Sequence, residues 1–252
     1  MLQRVRPTFC YKCGRVEWSL VSDQPRRKDQ RQADALALWC DVNGAKINAR
    51  KTVEMRIDFS KATRDTSSIV LNDSEISIVS HTKLLGVIVS DDLSWSENTS
   101  MICQKASQRL HFLVNLKRAG LESNRLVGLY CSFIRSILEY GSCVWHFALT
   151  QHERTCIERI QKRALKIIFG HDISSEQCLV EAALDSLEDR RRARCAKLFS
   201  DMQNSSHALY DLLPPIRSTS RSLRSFRTRE PPLCHTQRCS NTFVHSCLTY
   251  FQ

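Results

Sequence analysis

Ile157-Glu-Arg-Ile-Gln-Lys-Arg-Ala-Leu-Lys-Ile-Ile168 is the stretch that decides the fold, because its apolar residues return every three or four positions. That spacing predicts an amphipathic α-helix, which Gly170 would end. One face of this helix carries Ile157, Ile160, Ala164, Leu165 and Ile168. An apolar face of this kind is buried against neighbouring helices, so the segment predicts a helical bundle.

Helical spacing continues on both sides of that stretch. Upstream, one predicted helix ends at Gly120 and its apolar face carries Ile102, Ala106, Leu110, Leu113 and Leu116. The next predicted helix carries Leu126, Leu129, Tyr130, Phe133 and Ile137. Downstream, after a shorter segment at 174–184, a fourth helix is marked by Leu187, Ala193, Leu198 and Phe199. The bundle is therefore predicted to occupy 93–210.

The segment before the bundle, 32–92, is predicted to be a small α/β part. A short helix at 32–43 precedes a β-prone strand at 52–59. Residues 69–79 have the pattern of a hairpin with its turn at Asn72-Asp73, and Leu84–Val89 is a further strand. The predicted fold class is therefore α+β and mainly α, with a small β hairpin or sheet element, a helical bundle and flexible basic termini.

The two ends of the chain carry most of its formal net charge of +11. Residues 1–31 contain eight Arg or Lys against three acids, and 204–252 contain six Arg against two acids. We predict a disordered basic leader at 1–31 and an Arg/Ser/Pro-rich tail at 211–252. Arg-rich ends attract phosphate backbones without reading sequence, although solvated, poorly ordered ends are the simpler interpretation.

Signals for membrane insertion and secretion are missing from the sequence. No apolar run reaches the roughly 18 residues that a membrane span requires. The amino terminus, Met1-Leu-Gln-Arg-Val-Arg-Pro7, has no apolar core of the kind found in signal peptides. We therefore expect an intracellular location, cytoplasmic or nuclear, with no secretion and no membrane partner.

Twelve cysteines raise the question of a zinc site. Cys10-Tyr-Lys-Cys13 is half of a zinc knuckle. The carboxyl-terminal region offers further ligands at irregular spacing, namely Cys234, His235, Cys239, His245 and Cys247. A structural site needs four ligands, which usually come in close pairs, so unpaired thiols are favoured over zinc at both ends and no metal is predicted.

Motifs for catalysis are largely absent. The sequence has no G-x-x-x-x-G-K-[S/T] loop, no G-x-G-x-x-G, no G-x-S-x-G elbow and no H-x-D iron motif. Asp91-Asp92 is an adjacent acidic pair, which in polymerases holds Mg²⁺. Because the pair follows a predicted strand and precedes a helix, we interpret it as a turn. No cofactor and no small-molecule substrate is predicted.

Two of the predicted helices carry ordered positive charge. The candidate contacts with an RNA or DNA backbone are Lys105, Arg109, Lys117 and Arg118 on the first helix, and Arg159, Lys162, Arg163 and Lys166 on the third. Spacings of three and four residues place most of the second group on one face, which suits the tracking of phosphates. An ordinary solvated face, with the acids Glu153 and Glu158 interleaved, explains the pattern equally well. The sequence assigns no oligomeric state.

An ordered series of motifs resembles one family. The series contains Leu84-Leu-Gly-Val-Ile-Val-Ser-Asp-Asp-Leu-Ser-Trp95, Lys105-Ala-x-x-Arg-Leu-x-Phe-Leu113, Leu116-Lys-Arg-Ala119, Ile134-Arg-Ser-Ile-Leu-Glu-Tyr-Gly141 with Val144-Trp-His146 just after it, the stretch at 157–168, Leu187-Glu-Asp-Arg-Arg191 and Leu212-Leu-Pro-Pro215. In order and spacing it resembles the carboxyl-terminal part of the reverse transcriptases of non-LTR (LINE-type) retrotransposons. The resemblance covers the end of the palm and the thumb, over about 32–250.

The resemblance implies a role for each part. Asn48, Lys51 and Thr52 look like a vestige of the palm motif whose lysine lies near the incoming triphosphate, and Leu84–Val89 looks like the primer-gripping strands. The bundle would be the thumb, which holds template and primer. The fingers and the catalytic aspartates should lie before residue 32, where the leader resembles neither. The expected enzymatic activity is therefore none, with at most weak, non-specific nucleic-acid binding.

A second resemblance covers part of the same region. Lys83 to Ser132 is similar to the amino-terminal domain of an AlkB-type alkylated-DNA-repair protein. The chain has neither the iron motif nor a methyl-donor glycine loop, so no dioxygenase or methyltransferase chemistry is expected from it. The alternative to a polymerase remnant is a helical binding or regulatory module recruited by the host.

Overall fold

The computed structural model describes residues 8–10, 15–17, 27–59, 68–216 and 229–251. The chain divides into two compact units, Met1–Ser94 and Trp95–Gln252. Among the described residues, helices predominate and each sheet has two strands, which confirms the predicted α+β, mainly α class. None of the helices in these ranges is both long enough and apolar enough to cross a membrane.

The first unit combines one long helix with short strands. In chain order its elements are β1 (Thr8–Cys10), β2 (Arg15–Glu17), α1 (Arg27–Val42), β3 (Val53–Glu54), β4 (Val70–Leu71), β5 (Ser74–Glu75), β6 (Ser77–Ile78), β7 (His81–Leu84) and β8 (Val87–Ser90). β1 pairs antiparallel with β2, and β3 pairs parallel with β6. The strand predicted at 52–59 shrinks to two residues, because only Val53 and Glu54 have a partner strand among the described residues.

α1 begins at Arg27, inside the segment predicted to be a disordered leader. The Gln30 side chain ties the first turn of this helix to β4, because its amide pairs with the backbone of Val70 as a neighbouring strand would. Its Nε2 donates to the Val70 carbonyl at 2.8 Å, and its Oε1 accepts from the Val70 N–H at 3.0 Å. The leader prediction is therefore wrong for 27–31, and β1 and β2 also lie within the predicted leader.

Two hairpins follow in the first unit. The hairpin predicted at 69–79 is confirmed, since β4 and β5 pair across Asn72-Asp73, with left-handed φ values of 49° and 59°. The strand predicted at Leu84–Val89 is instead the middle of a second hairpin, β7–β8, which turns at Leu85 (φ 47°) and Gly86 (φ 93°). Two successive left-handed residues match the twist of paired strands, so the chain turns here although the sequence is an apolar run.

The second unit is a helical bundle. Its helices are α2 (Ser96–Arg118), α3 (Ser123–Leu129), α4 (Ser136–Leu138), α5 (Ser142–Trp145), α6 (Gln151–Phe169), α7 (Ser175–Glu181), α8 (Leu187–Met202), α9 (Gln237–Ser240) and α10 (Phe243–Tyr250). A π-helical segment, Tyr130–Arg135, joins α3 to α4. Thr150, Ser174 and Ser186 cap α6, α7 and α8, since each side chain accepts a backbone N–H from the first turn.

α2 and α6 pack against each other along the faces that the sequence predicts. The buried apolar residues of α6 are the five predicted ones, Ile157, Ile160, Ala164, Leu165 and Ile168. Those of α2 are Ile102, Ala106, Leu110 and Leu113, and Leu116 is half-buried. The predicted ends are confirmed at Gly120 (φ 84°) and Gly170 (φ 104°), because glycine adopts these left-handed conformations without strain.

The face predicted for the second helix is partly wrong. Its buried residues are Leu126, Tyr130, Ile134 and Leu138, which lie four positions apart. A π-helical segment has more residues per turn than the 3.6 of an α-helix, so the face advances by one position across it. Phe133 and Ile137 are therefore rotated away from the core, and Phe133 is 38% exposed.

The carboxyl-terminal region corrects the prediction of a tail at 211–252. α10 buries Cys247 and Leu248 against Cys195 and Phe199 of α8. Arg229 is also buried, and its guanidinium donates to the Pro214 carbonyl. The apolar face of α10 repeats at helical spacing, but the Arg-, Ser- and Pro-rich residues before it hide that pattern in the sequence. The described part of this region therefore belongs to the core of the second unit.

Candidate functional site

α6 carries a row of cations that we call the α6 basic face, consisting of Arg159, Lys162, Arg163 and Lys166. At 3.6 residues per turn, these positions fall within an arc of about 100° opposite the buried face. The first three residues are exposed and the fourth is half-buried. Their side chains make no ion pair or hydrogen bond with any residue that the structure describes. The four predicted residues thus share one surface and keep their charges available.

The two acids of α6 do not neutralise this face. Glu153 is buried at the amino end of the helix, where its Oε2 accepts from the Thr150 N–H at 2.7 Å and its Oε1 accepts from the Ser96 hydroxyl at 2.9 Å. Glu158 pairs with the buried Arg191 of α8 at 3.4 Å. Both carboxylates therefore bind partners inside the bundle and do not lie among the cations of the α6 basic face. This weakens the interpretation of that face as an ordinary solvated surface with interleaved acids.

The four cations predicted on α2 have two different environments. Arg109 Nη1 donates to the Phe133 carbonyl at 2.6 Å, and Lys117 Nζ donates to the Ile168 carbonyl, near the end of α6, at 2.5 Å. These two side chains tie α2 to the π-helical segment and to α6. Lys105 and Arg118 are exposed, and their side chains have no partner among the described residues. The α2 cations therefore do not form a second row of free charges.

The three residues predicted to be a vestige of a palm motif lie in the first unit. Asn48, Lys51 and Thr52 belong to a short 3₁₀ turn before β3, in which the Asn48 carbonyl accepts from the Lys51 N–H at 3.0 Å and from the Thr52 hydroxyl at 3.0 Å. Lys51 is exposed. The motif's local structure is thus a solvent-facing turn held by backbone and hydroxyl hydrogen bonds.

The turn predicted at Asp91-Asp92 is confirmed. The Asp91 N–H donates to the Ser80 carbonyl at 2.8 Å, and Asp92 Oδ1 accepts from the Ser94 N–H at 2.8 Å. Across the described ranges, no group of three or more His, Cys, Asp or Glu lies where it could hold a metal ion. The ten cysteines whose side chains are described are all free thiols. Cys10 and Cys13 lie outside the residues whose side chains the structure describes.

A buried ion network around Glu139 was missed by sequence reasoning. The Glu139 side chain is 2% exposed and meets three guanidinium groups. Arg190 Nε lies 2.6 Å from its Oε1, Arg194 Nη2 lies 2.9 Å from its Oε2, and Arg135 Nε lies 4.0 Å from its Oε2. Removing one member of such a group leaves buried charge without compensation, so the network links the end of the π-helical segment firmly to α8.

The next residue of α8 forms a second buried contact. Arg191 is fully buried, pairs with Glu158 and lies with its Cζ 5.8 Å from the centre of the Trp145 ring. Burial raises the pKa of the Glu158 carboxyl, and Arg191 opposes that effect. Burial also lowers the pKa of His146 to about 4, and nearby arginines, Arg191 first, lower it further. These residues come from the quoted motifs at 134–146, 157–168 and 187–191. Those motifs were therefore the signal in the sequence from which the buried contacts could have been found.

Comparisons with known proteins find both resemblances. Over 143 residues, or 55% of the chain, the sequence is 27% identical to the probable RNA-directed DNA polymerase from transposon BS of Drosophila melanogaster. The match spans only 16% of that polymerase's own length. Residues 95–136, which contain α2, α3 and the π-helical segment, match the family described as the amino-terminal region of alkylated DNA repair protein alkB homolog 8. No solved structure matches the chain.

Proposed function

We propose that this chain is a non-catalytic remnant of a retrotransposon reverse transcriptase, corresponding to the end of the palm and the thumb. In this proposal it retains weak binding to RNA or DNA backbones without sequence preference. The observation that carries the proposal is the α6 basic face, four cations on one side of a rigid helix whose own acids face inward. The distant similarity to a transposon polymerase supports the origin.

Geometry supports contacts with phosphate rather than a merely solvated face. From Arg159 to Lys166 the helix rises by about 10 Å, and two turns of helix therefore present four cations along a line. A duplex carries a phosphate about every 3.4 Å along each strand, so such a row can meet up to about three phosphates of one strand. Contacts of this kind fix position without reading bases, which agrees with the proposed lack of sequence preference.

The salt dependence of binding tests the proposal. The full chain and a variant with Arg159, Lys162, Arg163 and Lys166 all changed to Gln are titrated against a fluorescent RNA–DNA hybrid at several salt concentrations. Each lost phosphate contact should reduce the slope of log K against log salt by about 0.9, so the variant should lose roughly three units. The full chain is required, because α10 packs into the core of the second unit.

A matched variant separates a shared face from net charge. Changing Lys46, Arg50, Lys83 and Lys197 to Gln removes the same charge from exposed positions on separate elements. That variant should keep the wild-type slope. Two results would refute the proposal and assign binding to the arginines near the chain ends. One is an equal reduction of the salt slope by both variants. The other is an unchanged salt slope in the α6 variant with its helical content intact by circular dichroism.

The second candidate is a helical module recruited by the host, which the match at 95–136 favours because that region is similar to a family that is not described as a polymerase. On this hypothesis the bundle binds a protein, and the nucleic-acid affinity comes from the basic segments near the ends of the chain. The salt experiment also distinguishes this candidate, since it predicts equal slopes for the wild type and the α6 variant.

A further inference from the structure

α2 and the π-helical segment present two exposed aromatic rings side by side. Phe112 is 55% exposed, and its ring packs in a T-shaped arrangement with the Phe133 ring, with 6.0 Å between ring centres and 82° between planes. The Arg109 guanidinium lies 4.0 Å from the centre of the Phe133 ring and donates to the Phe133 carbonyl. We call these three residues the Phe112 platform. Phe133 is held from two sides. Phe112, which also has the His111 ring at 6.4 Å between ring centres, is the more exposed of the two phenylalanine rings.

Carboxylates are absent from the stretches of these elements around the platform, and the nearest acids in sequence, Glu97 and Glu122, lie at the amino ends of α2 and α3. Residues 98–121 contain four Lys or Arg and no Asp or Glu, and 123–138 contain two Arg and no Asp or Glu. On α2, Lys105, Arg109 and Phe112 lie at i, i+4 and i+7, so they form one stripe along the helix. Lys105 is exposed, two turns from the ring, and its ammonium has no partner among the described residues. A polyanion with apolar faces is the ligand that such a stripe complements.

We infer that the Phe112 platform binds single-stranded nucleic acid, with one base stacked on the Phe112 ring and the flanking phosphates near Arg109 and Lys105. This inference rests on the proposed nucleic-acid binding and adds a second, separate contact to it. Aromatic rings next to cations are the general means by which proteins hold unpaired bases, since every base has a face that can stack.

A single strand fits these residues better than a duplex. In a duplex the base faces are covered by their neighbours in the stack, whereas an unpaired base can lie flat on an exposed ring. The turn from α-helix to π-helix is what makes the platform, because it moves Phe133 out of the core and next to Phe112. Arg109 then fixes the orientation of Phe133 through two contacts on one residue.

The test compares single-stranded and duplex oligonucleotides of one sequence, titrated by fluorescence anisotropy with the full chain and three variants. Phe112→Ala should weaken single-strand binding by roughly 5- to 150-fold, the range for a lost base–aromatic stack. It should leave both duplex affinity and the salt slope unchanged. Phe112→Tyr keeps the ring and should bind as the wild type does. Tyr140→Ala removes a ring of similar exposure, 56% against 55%, and should have no effect.

The outcomes separate the platform from the α6 basic face. Wild-type affinity in Phe112→Ala, with the α6 Gln variant still losing salt slope, would overturn the platform alone. A loss in Phe112→Ala with an unchanged slope in the α6 variant would support the platform and refute the α6 contact. Equal losses of affinity for single strand and duplex in Phe112→Ala would overturn base stacking. Binding of a polyglutamate peptide that depends on Phe112 would also overturn it, because that result would indicate an acidic protein partner.

Discussion

Acidification should destabilise the second unit through one histidine. His146 is 3% exposed, and burial together with nearby arginines lowers its pKa to about 4 from an ordinary 6.5. In the unfolded chain the imidazole regains its ordinary pKa. Between pH 6.5 and 4 the unfolded state therefore binds more protons than the folded state, so stability falls as the pH is lowered through this window.

The magnitude follows from the two pKa values. Integrated from neutral pH down to pH 5, the difference in proton binding costs about 2 kcal/mol, and it approaches roughly 3 kcal/mol below pH 4. Glu158 acts in the opposite direction, because burial raises its pKa and its neutral form is favoured in the folded state. The contribution of His146 must therefore be isolated by comparison with a variant that retains Glu158.

Urea unfolding at pH 7 and pH 5 provides the measurement. Between pH 7 and pH 5, the free energy of unfolding of the wild type should fall by about 2 kcal/mol more than that of His146→Asn, since the variant has no imidazole to protonate. Parallel losses would refute the reasoning. If the variant folds too poorly to compare, titration of the His146 ring protons by NMR in the wild type gives the pKa directly. A value near 6.5 would show that the imidazole is not buried among cations.

Two further predictions concern the carboxyl-terminal helix and catalysis. A chain ending at Pro215 should melt at a lower temperature than the full chain, because it loses α10 and exposes the apolar cluster of α8. Leu248→Ala alone should lower the free energy of unfolding by roughly 2–5 kcal/mol. An unchanged melting temperature in both variants would contradict the packing of α10 against α8. The full chain should show no template-directed nucleotide incorporation with Mg²⁺ or Mn²⁺, because Asp91 and Asp92 form a turn; primer extension that Asp91→Asn abolishes would overturn that interpretation.

Sequence periodicity predicted the helices whose geometry is regular. α6 keeps 3.6 residues per turn throughout, so its buried residues were the five predicted, and glycine ended it as expected. The same reasoning failed where the helix widens at Tyr130–Arg135, because a face counted at α-helical spacing lies one position away from the real one after a π-helical segment. No residue type in that segment indicates the change from α-helical to π-helical geometry.

Composition misled where a short ordered element follows a basic stretch. Phe243, Val244, Cys247, Leu248 and Phe251 recur at helical spacing and would have predicted α10. The arginines and prolines before them suggested a solvated tail instead. In the first unit, the first turn of α1 is paired through Gln30 with Val70, 40 residues away, and no local pattern contains that contact. Within the candidate site, the α6 basic face could be predicted from the spacing of its residues. The Phe112 platform could not, because it depends on the π-helical segment.

The motifs that carry the resemblance contain both interior and exposed residues of this chain. Their ion-paired residues are Glu139, Glu158, Arg190 and Arg191, and the stretch at 157–168 also carries the α6 basic face. Loss of one member of a buried charge network costs several kcal/mol, whatever the function of the chain, because the remaining charge is left without compensation. Resemblance at these ion-paired positions is therefore explained by the fold alone. The α6 basic face and the Phe112 platform are mostly exposed, with only Lys166 and Arg109 half-buried among their residues, and none of these side chains belongs to the buried core. Substitutions there test function directly, since they change what the surface binds while leaving the interior network intact.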